Sequence, residues 1–299
     1  MTELILHHYD TSPFSEKVRL LFGVTKLSWR SVIQPTIMPK PDLTPLTGGY
    51  RRIPVLQIGA DVYCDTQVIL AEIGVREGVD LGAGLGWAIN IWADRAFFQA
   101  TVPIIFGEIE VPSAFIEDRA KLSGRPFDAA AMKAASGAMK NVWRAEASWI
   151  DAALAQSDYI AGDAPGMADI AAYMNVWFLA RNVPGTAEAL MRGLDRLVAW
   201  RARMAAIGHG ERREMTPAEA LEVARAAAPA PFTGHDRQDP SGLQPGAAVA
   251  VTADDYGRDP IHGTLVGLNA ARVVLKREDP QLGELQVHFP RVGYVVSPR

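Results

Sequence analysis

The sequence is poor in cysteine: Cys64 is the single one in 299 residues. An intrachain disulfide is excluded, and such sparse use fits a reducing compartment. Long hydrophobic runs are missing too. No stretch approaches the roughly 18 consecutive apolar residues of a membrane span, so no membrane partner is expected. The start, MTELILHHYD, shows neither a basic leader nor a long apolar run, so a cytoplasmic setting is expected. A basic excess is lacking as well. Thirty Lys and Arg stand against 34 Asp and Glu, a net charge of −4, which argues against nucleic acid as a partner because phosphate binding needs a positive field. Finally, the six histidines lack metal-ligand spacing. The adjacent His7 and His8 would point to opposite faces of a strand, so no metal site is expected.

What is present is ordinary globular material, 48% hydrophobic and 21% charged. At about 150 residues per domain the length suits two domains, or three small ones. Leu4–Tyr9 is short, apolar and partly aromatic, and predicts a strand. Ser12 is a good helix N-cap and Pro13 suits the first helical position. Phe14, Val18 and Leu21 follow at helical spacing. Leu27–Ile33 predicts a second strand. Gln34–Gly49, with four prolines and two glycines, predicts irregular chain. Ile53–Gly59 and Ala60–Cys64 predict a hairpin, and a helix starts at Thr66. Strand and helix alternate first and an antiparallel pair closes the sheet, which predicts a small α/β sandwich over residues 1–80.

From about Leu85 the texture becomes helical. Met132 to Leu154 carries an amphipathic pattern, and Met167–Leu179 is apolar on nearly every side. Leu190–Ile207 and Pro217–Ala228 predict two more helices, so residues 85–228 read as a helical bundle in which strand-like runs vanish. Residues 229–244, rich in proline and glycine, read as a linker. Five short strand patterns follow within residues 245–299 and predict a small closed β-barrel. From Ser241 onward six acidic residues balance six basic ones, which gives no support for RNA binding.

Four stretches carry a family resemblance. They are Ser12-Pro13-Phe14-Ser15 with Lys17-Val18-Arg19; Arg51-Arg52-Ile53-Pro54-Val55-Leu56; Tyr63-Cys64-Asp65-Thr66 with Ile69; and Gly166-Met167-Ala168-Asp169-Ile170. In this order and spacing they resemble the glutathione S-transferases over residues 1 to about 215, of a serine-type, bacterial-like kind. The resemblance implies a thioredoxin-like α/β domain followed by an all-α bundle, with the C-terminal β module as an addition. It implies glutathione as co-substrate, attack of its thiolate on a hydrophobic electrophile, and a homodimer. A non-catalytic binding or scaffold protein of the same fold, or a glutathione-dependent reductase, isomerase or lyase, is the alternative.

The resemblance gives each residue a role beside its structural one. Ser12 would donate its hydroxyl proton to the glutathione sulfur while its oxygen caps the helix. Lowering a thiol pKa from about 8.5 by ~2 units needs ~2.7 kcal/mol. One hydrogen bond to a charged group supplies ~1.5–3 kcal/mol, and a helix N-terminus adds ~0.3–1 kcal/mol. Tyr9 is the competing hydroxyl. Aligning the helix residues puts His8 at the tyrosine's usual place, and strand alternation would turn Tyr9 the other way. In the family the proline matching Pro54 is cis, and the main chain before it, here Ile53, pairs with the cysteinyl amide of glutathione. Asp65 and Thr66 match the pair that holds the γ-glutamyl end at a helix start. Arg52 and Gln34 are candidates for the glycyl carboxylate. Asp169 reads as structural, half of a reciprocal helix cap whose Ser/Thr half is replaced by Gly166. Cys64 reads as a small buried residue.

Overall fold

The computed structural model describes residues 3–82 and 84–299. Its first half begins with β1 (Ile5–His8), wholly buried. At α1 (Pro13–Val24) the Ser12 side chain accepts a hydrogen bond from the backbone N–H of Ser15, and Pro13 occupies the first turn. Val18, Leu21 and Phe22 bury one face of that helix. β2 (Ser28–Ile33) then pairs parallel with β1. After the proline-rich stretch, relieved only by the short α2 (Thr44–Thr47), β3 (Val55–Ile58) runs antiparallel to β1, and β4 (Asp61–Cys64) antiparallel to β3. α3 (Thr66–Glu77) closes the unit.

The helical region comprises α4 (Leu85–Trp92), a π-helical turn (Ala93–Phe97), α5 (Phe98–Glu108), α6 (Ser113–Ser123) and α7 (Ala129–Ala153). It continues with α8 (Met167–Asn182), α9 (Pro184–Met191) and α10 (Asp195–Ile207). α8 is buried over most of its length, as its all-round apolarity predicts. α7 buries the stripe Trp143, Ala147 and Ile150. Asp169 is fully buried. Its carboxylate accepts from the Gly166 and Ile160 backbone amides and from the Trp200 indole. The helix expected over 190–207 is instead two, broken at Gly193, whose φ of 77° lies in the left-handed region that glycine tolerates.

A strand also lies where only helices were expected. β5 (Glu211–Glu214) pairs parallel with β2. All four of its residues are exposed and charged or polar, so no alternation marks it. α11 (Pro217–Arg225) follows, and its Ala220 packs on Ile5 and Val32 of the sheet.

The closed barrel expected over 245–299 is not formed. All five strands exist: β6 (Ala248–Ala253), β7 (Ile261–Leu268), β8 (Arg272–Asp279), β9 (Gly283–Pro290) and β10 (Tyr294–Pro298). They are an open antiparallel continuation of the first sheet, in the order β10-β6-β7-β8-β9-β4-β3-β1-β2-β5. The junction is parallel, β4 on β9, with Val62 opposite Val287 and Tyr63 opposite His288. The reason is the free edge of β4. Pairing it with β9 satisfies a row of backbone groups that closure of a five-stranded barrel would leave open. The joint has its own core, where Leu43, Val55, Val62 and Cys64 meet Leu265, Leu275, Leu285 and Phe289. Burying each large aliphatic side chain contributes roughly 1.5–3 kcal/mol. Polar pins cross it too. Asp61 takes a 2.9 Å hydrogen bond from His288 Nε2 and a 2.8 Å bond from the Ala230 amide, and the His288 ring stacks on Tyr63 at 4.3 Å.

Candidate functional site

Residues from three parts of the chain converge on one cavity of about 70 Å³. Arg52, Ile53 and Pro54 reach it from the approach to β3, and Asp65 and Thr66 from the start of α3. Phe14 of α1 and Asp94 and Arg95 of the π turn complete the inner wall. The Ile53–Pro54 bond is cis. Asp255, Tyr256, Gly293 and Tyr294 form an outer wall from the C-terminal strands.

Asp65 is held by geometry that few residues adopt. Its φ of 87° with ψ of 142° is a region normally left to glycine, costing roughly 1–3 kcal/mol. Two bonds hold it there. Its Oδ1 accepts from the Gln67 amide at 3.0 Å, capping α3, and its Oδ2 accepts from the Tyr294 hydroxyl at 3.0 Å. Tyr294 also lies 3.2 Å from the Tyr50 hydroxyl. Burial lifts both phenols well above the usual range, so both are neutral donors.

Behind Thr66 stands a buried ammonium. Lys17 Nζ donates to Thr66 Oγ1 at 3.1 Å, to Asn90 Oδ1 at 2.7 Å and to Asp94 at 2.7 Å. Three donors thus meet three residues. Thr66 Oγ1 accepts from Lys17, which leaves its own proton free to face the cavity. The π turn presents Asp94, and such turns recur at functional positions. Burial pushes the Asp94 carboxyl upward, with the attraction of Lys17 opposing.

Ser12 is buried and caps α1 at 3.1 Å, but it is not among the residues lining this cavity; its neighbour Phe14 is. Tyr9 is joined to Ser12 through the backbone, its carbonyl accepting from the Ser12 amide at 3.2 Å, and it too is absent from the cavity lining. β1 ends at His8, so strand alternation no longer governs Tyr9. Its phenol lies 3.5 Å from an Arg119 guanidinium nitrogen. Burial raises the Tyr9 pKa above its ordinary value, while the Arg119 charge opposes the rise. His8 is turned inward, to Ser31 at 3.0 Å and Arg19 at 3.1 Å. Gln34 is likewise withdrawn, 3.3 Å from His7. Cys64 is buried and its thiol is pushed well above the usual range by burial. Of the aromatic residues on the helices, Phe97 packs between Trp92 and Trp143, and Tyr173 against Trp200. Phe98 meets the cavity residue Phe14 edge-on at 5.0 Å.

Among the described residues, no group of three or more His, Cys, Asp or Glu is placed to hold a metal ion. Among the same residues, no helix is long and apolar enough to cross a membrane.

Comparison with known proteins gives this geometry a context. Residues 6–78 match the model of the glutathione S-transferase N-terminal domain, and residues 132–203 that of the C-terminal domain. A GST-like protein from Pseudomonas syringae is 35% identical over the whole of both chains, with a TM-score of 0.83. The chain belongs to the glutathione S-transferase family. A glutathione S-transferase from Rhodospirillum rubrum F11 is 20% identical over 68% of this chain and 88% of its own, with a TM-score of 0.53. FzlA from C. crescentus is 22% identical over 81% of this chain and all of its own, with a TM-score of 0.52. These two share the fold. No curated protein matches the sequence.

In this family member, the outer-wall residues that carry no sequence mark reach the cavity by topology. Asp255, Tyr256 and Tyr294 arrive about 190 to 230 residues after Asp65, because β9 docks on β4. Their only sequence signal is a turn pattern between two strands. Asp94 was hidden in a helical run, since nothing in the residue pattern marks a π turn.

Proposed function

We propose that the chain binds glutathione as its thiolate and directs it at a hydrophobic electrophile. The observation that carries this reading is that Arg52, Ile53, Pro54, Asp65 and Thr66, drawn from two separate sequence stretches, line one cavity. The Asp65 carboxylate is the acceptor for the γ-glutamyl ammonium. The free Thr66 proton and the N-terminus of α3 suit the neighbouring carboxylate. The Ile53 main chain pairs with the cysteinyl amide. Arg52 is the cation for a ligand carboxylate. Ser12 donates to the sulfur, its oxygen already accepting from Ser15. Catalysis then rests on thiolate stabilisation and positioning. A cytoplasmic homodimer belongs to the same reading.

The test is a glutathione titration that follows thiolate ultraviolet absorbance, in the native protein and in Ser12→Ala. Saturable binding is expected, with the bound thiol's pKa higher in Ser12→Ala by roughly 1–2 units, the equivalent of one charge-assisted hydrogen bond. An unchanged pKa would remove Ser12 from this role. The narrowness of the cavity favours a second reading, a non-catalytic scaffold protein of the same fold, and absence of saturable glutathione binding would favour it over the transferase.

A further inference from the structure

The cavity is small, about 70 Å³. Ligand pockets commonly reach roughly 300–1,000 Å³. Asp255 and Tyr256, from the segment that joins β6 to β7, form part of the cavity's wall. The Asp255 carboxylate pairs with the Arg52 guanidinium, and the Tyr256 ring lies 3.9 Å from the same guanidinium. The one cation assigned to a ligand carboxylate is therefore already matched by a carboxylate of the chain itself.

We propose that this segment is an internal competitor for the glutathione site, and that Asp255 and Tyr256 decide how readily a thiol carrying its own carboxylate enters. The inference rests on the glutathione reading given above. The segment has the attachments such a role requires. Asp254 bonds Arg95 at 2.7 Å on the π turn, and the Gly257 amide donates to the Leu122 carbonyl on α6 at 2.7 Å. It thus straps the first sheet to the helices across the cavity mouth. The outer attachment is releasable: the Asp254 and Arg95 side chains are 39% and 45% exposed, and ion pairs at such exposure hold weakly. In the inner pair Arg52 is 12% exposed but Asp255 is 36% exposed, so it is the Asp255 carboxylate that can move out to water. An arriving carboxylate replaces Asp255 on Arg52, so the charge on Arg52 stays matched while the segment swings out. The apparent affinity is reduced by the fraction of molecules in which the segment is closed.

The experiment measures glutathione binding by calorimetry in the native protein, Asp255→Asn and Tyr256→Ala, with amide hydrogen exchange of residues 254–258 read in parallel. Loss of the ion pair or of the cation–π contact should tighten glutathione binding, by roughly three- to thirty-fold. Saturating glutathione should also speed exchange at Tyr256 and Gly257 in the native protein. Equal affinities in all three proteins, or weaker binding in the variants, would overturn the inference and leave the glutathione reading intact. No binding by any of the three would overturn that reading first, and the inference with it.

Discussion

Replacing Asp94 by alanine tests the buried ion pair behind the cavity. The Lys17 side chain is fully buried and the Asp94 side chain is 13% exposed. Without Asp94 the ammonium keeps two neutral acceptors, Thr66 and Asn90, and no counter-charge. Breaking a buried pair from one side costs about 3–5 kcal/mol, because an uncompensated charge remains out of water. Removing Lys17 instead should cost less, since Asp94 lies nearer solvent and a carboxyl already pushed upward by burial can take a proton. The expected order in urea unfolding is therefore native, then Lys17→Met, then Asp94→Ala, with the last losing about 3–5 kcal/mol. The paired variant Lys17→Met with Asp94→Leu should recover most of that loss, as apolar replacement of a whole buried pair often does. A loss below about 1 kcal/mol for Asp94→Ala, as for an exposed pair, would refute the reasoning: water would be reaching Lys17.

Two further outcomes follow from other parts of the chain. Burial lowers His7 from its ordinary 6.5 to about 4, and burial with the nearby Arg19 lowers His8 to about 3. The unfolded chain binds more protons below 6.5, so this stability is present above that pH and is lost as pH falls towards 4. Stability should drop by about 2 kcal/mol between pH 6 and 5, above the main carboxylate range; a flat profile in thermal or urea unfolding would contradict the burial. A chain ending at Pro229 leaves the β4 edge unpaired and Val62 and Cys64 uncovered. It should bind a hydrophobic dye and aggregate, whereas a soluble, cooperatively folding product would show that the shared core is dispensable.

The first unit was legible because its signals are local. Ser12 and Pro13 mark the start of α1, and the apolar pair Val55–Ile58 and Asp61–Cys64 flank Gly59 at a positive φ of 63°. The five C-terminal strands were equally visible from their apolar runs. Their partner was not, because alternation tells which residues form a strand and leaves open which edge it joins. The same limit hid the outer wall of the cavity. Glu211–Glu214 escaped because a fully exposed strand needs no apolar face.

The parallel seam between β4 and β9 has a consequence for how the chain is made. Tyr63 meets its neighbour only when His288 has been synthesised, 225 residues later (288 − 63). At ~5–20 residues per second a ribosome needs roughly 10–45 s to cover that distance. For that time the nascent N-terminal half carries an open sheet edge and an uncovered apolar patch, both of which invite association with other chains. Trigger-type chaperones that shield such an edge should therefore raise the yield of this protein more than that of a chain in which β4 is the finished border of the sheet.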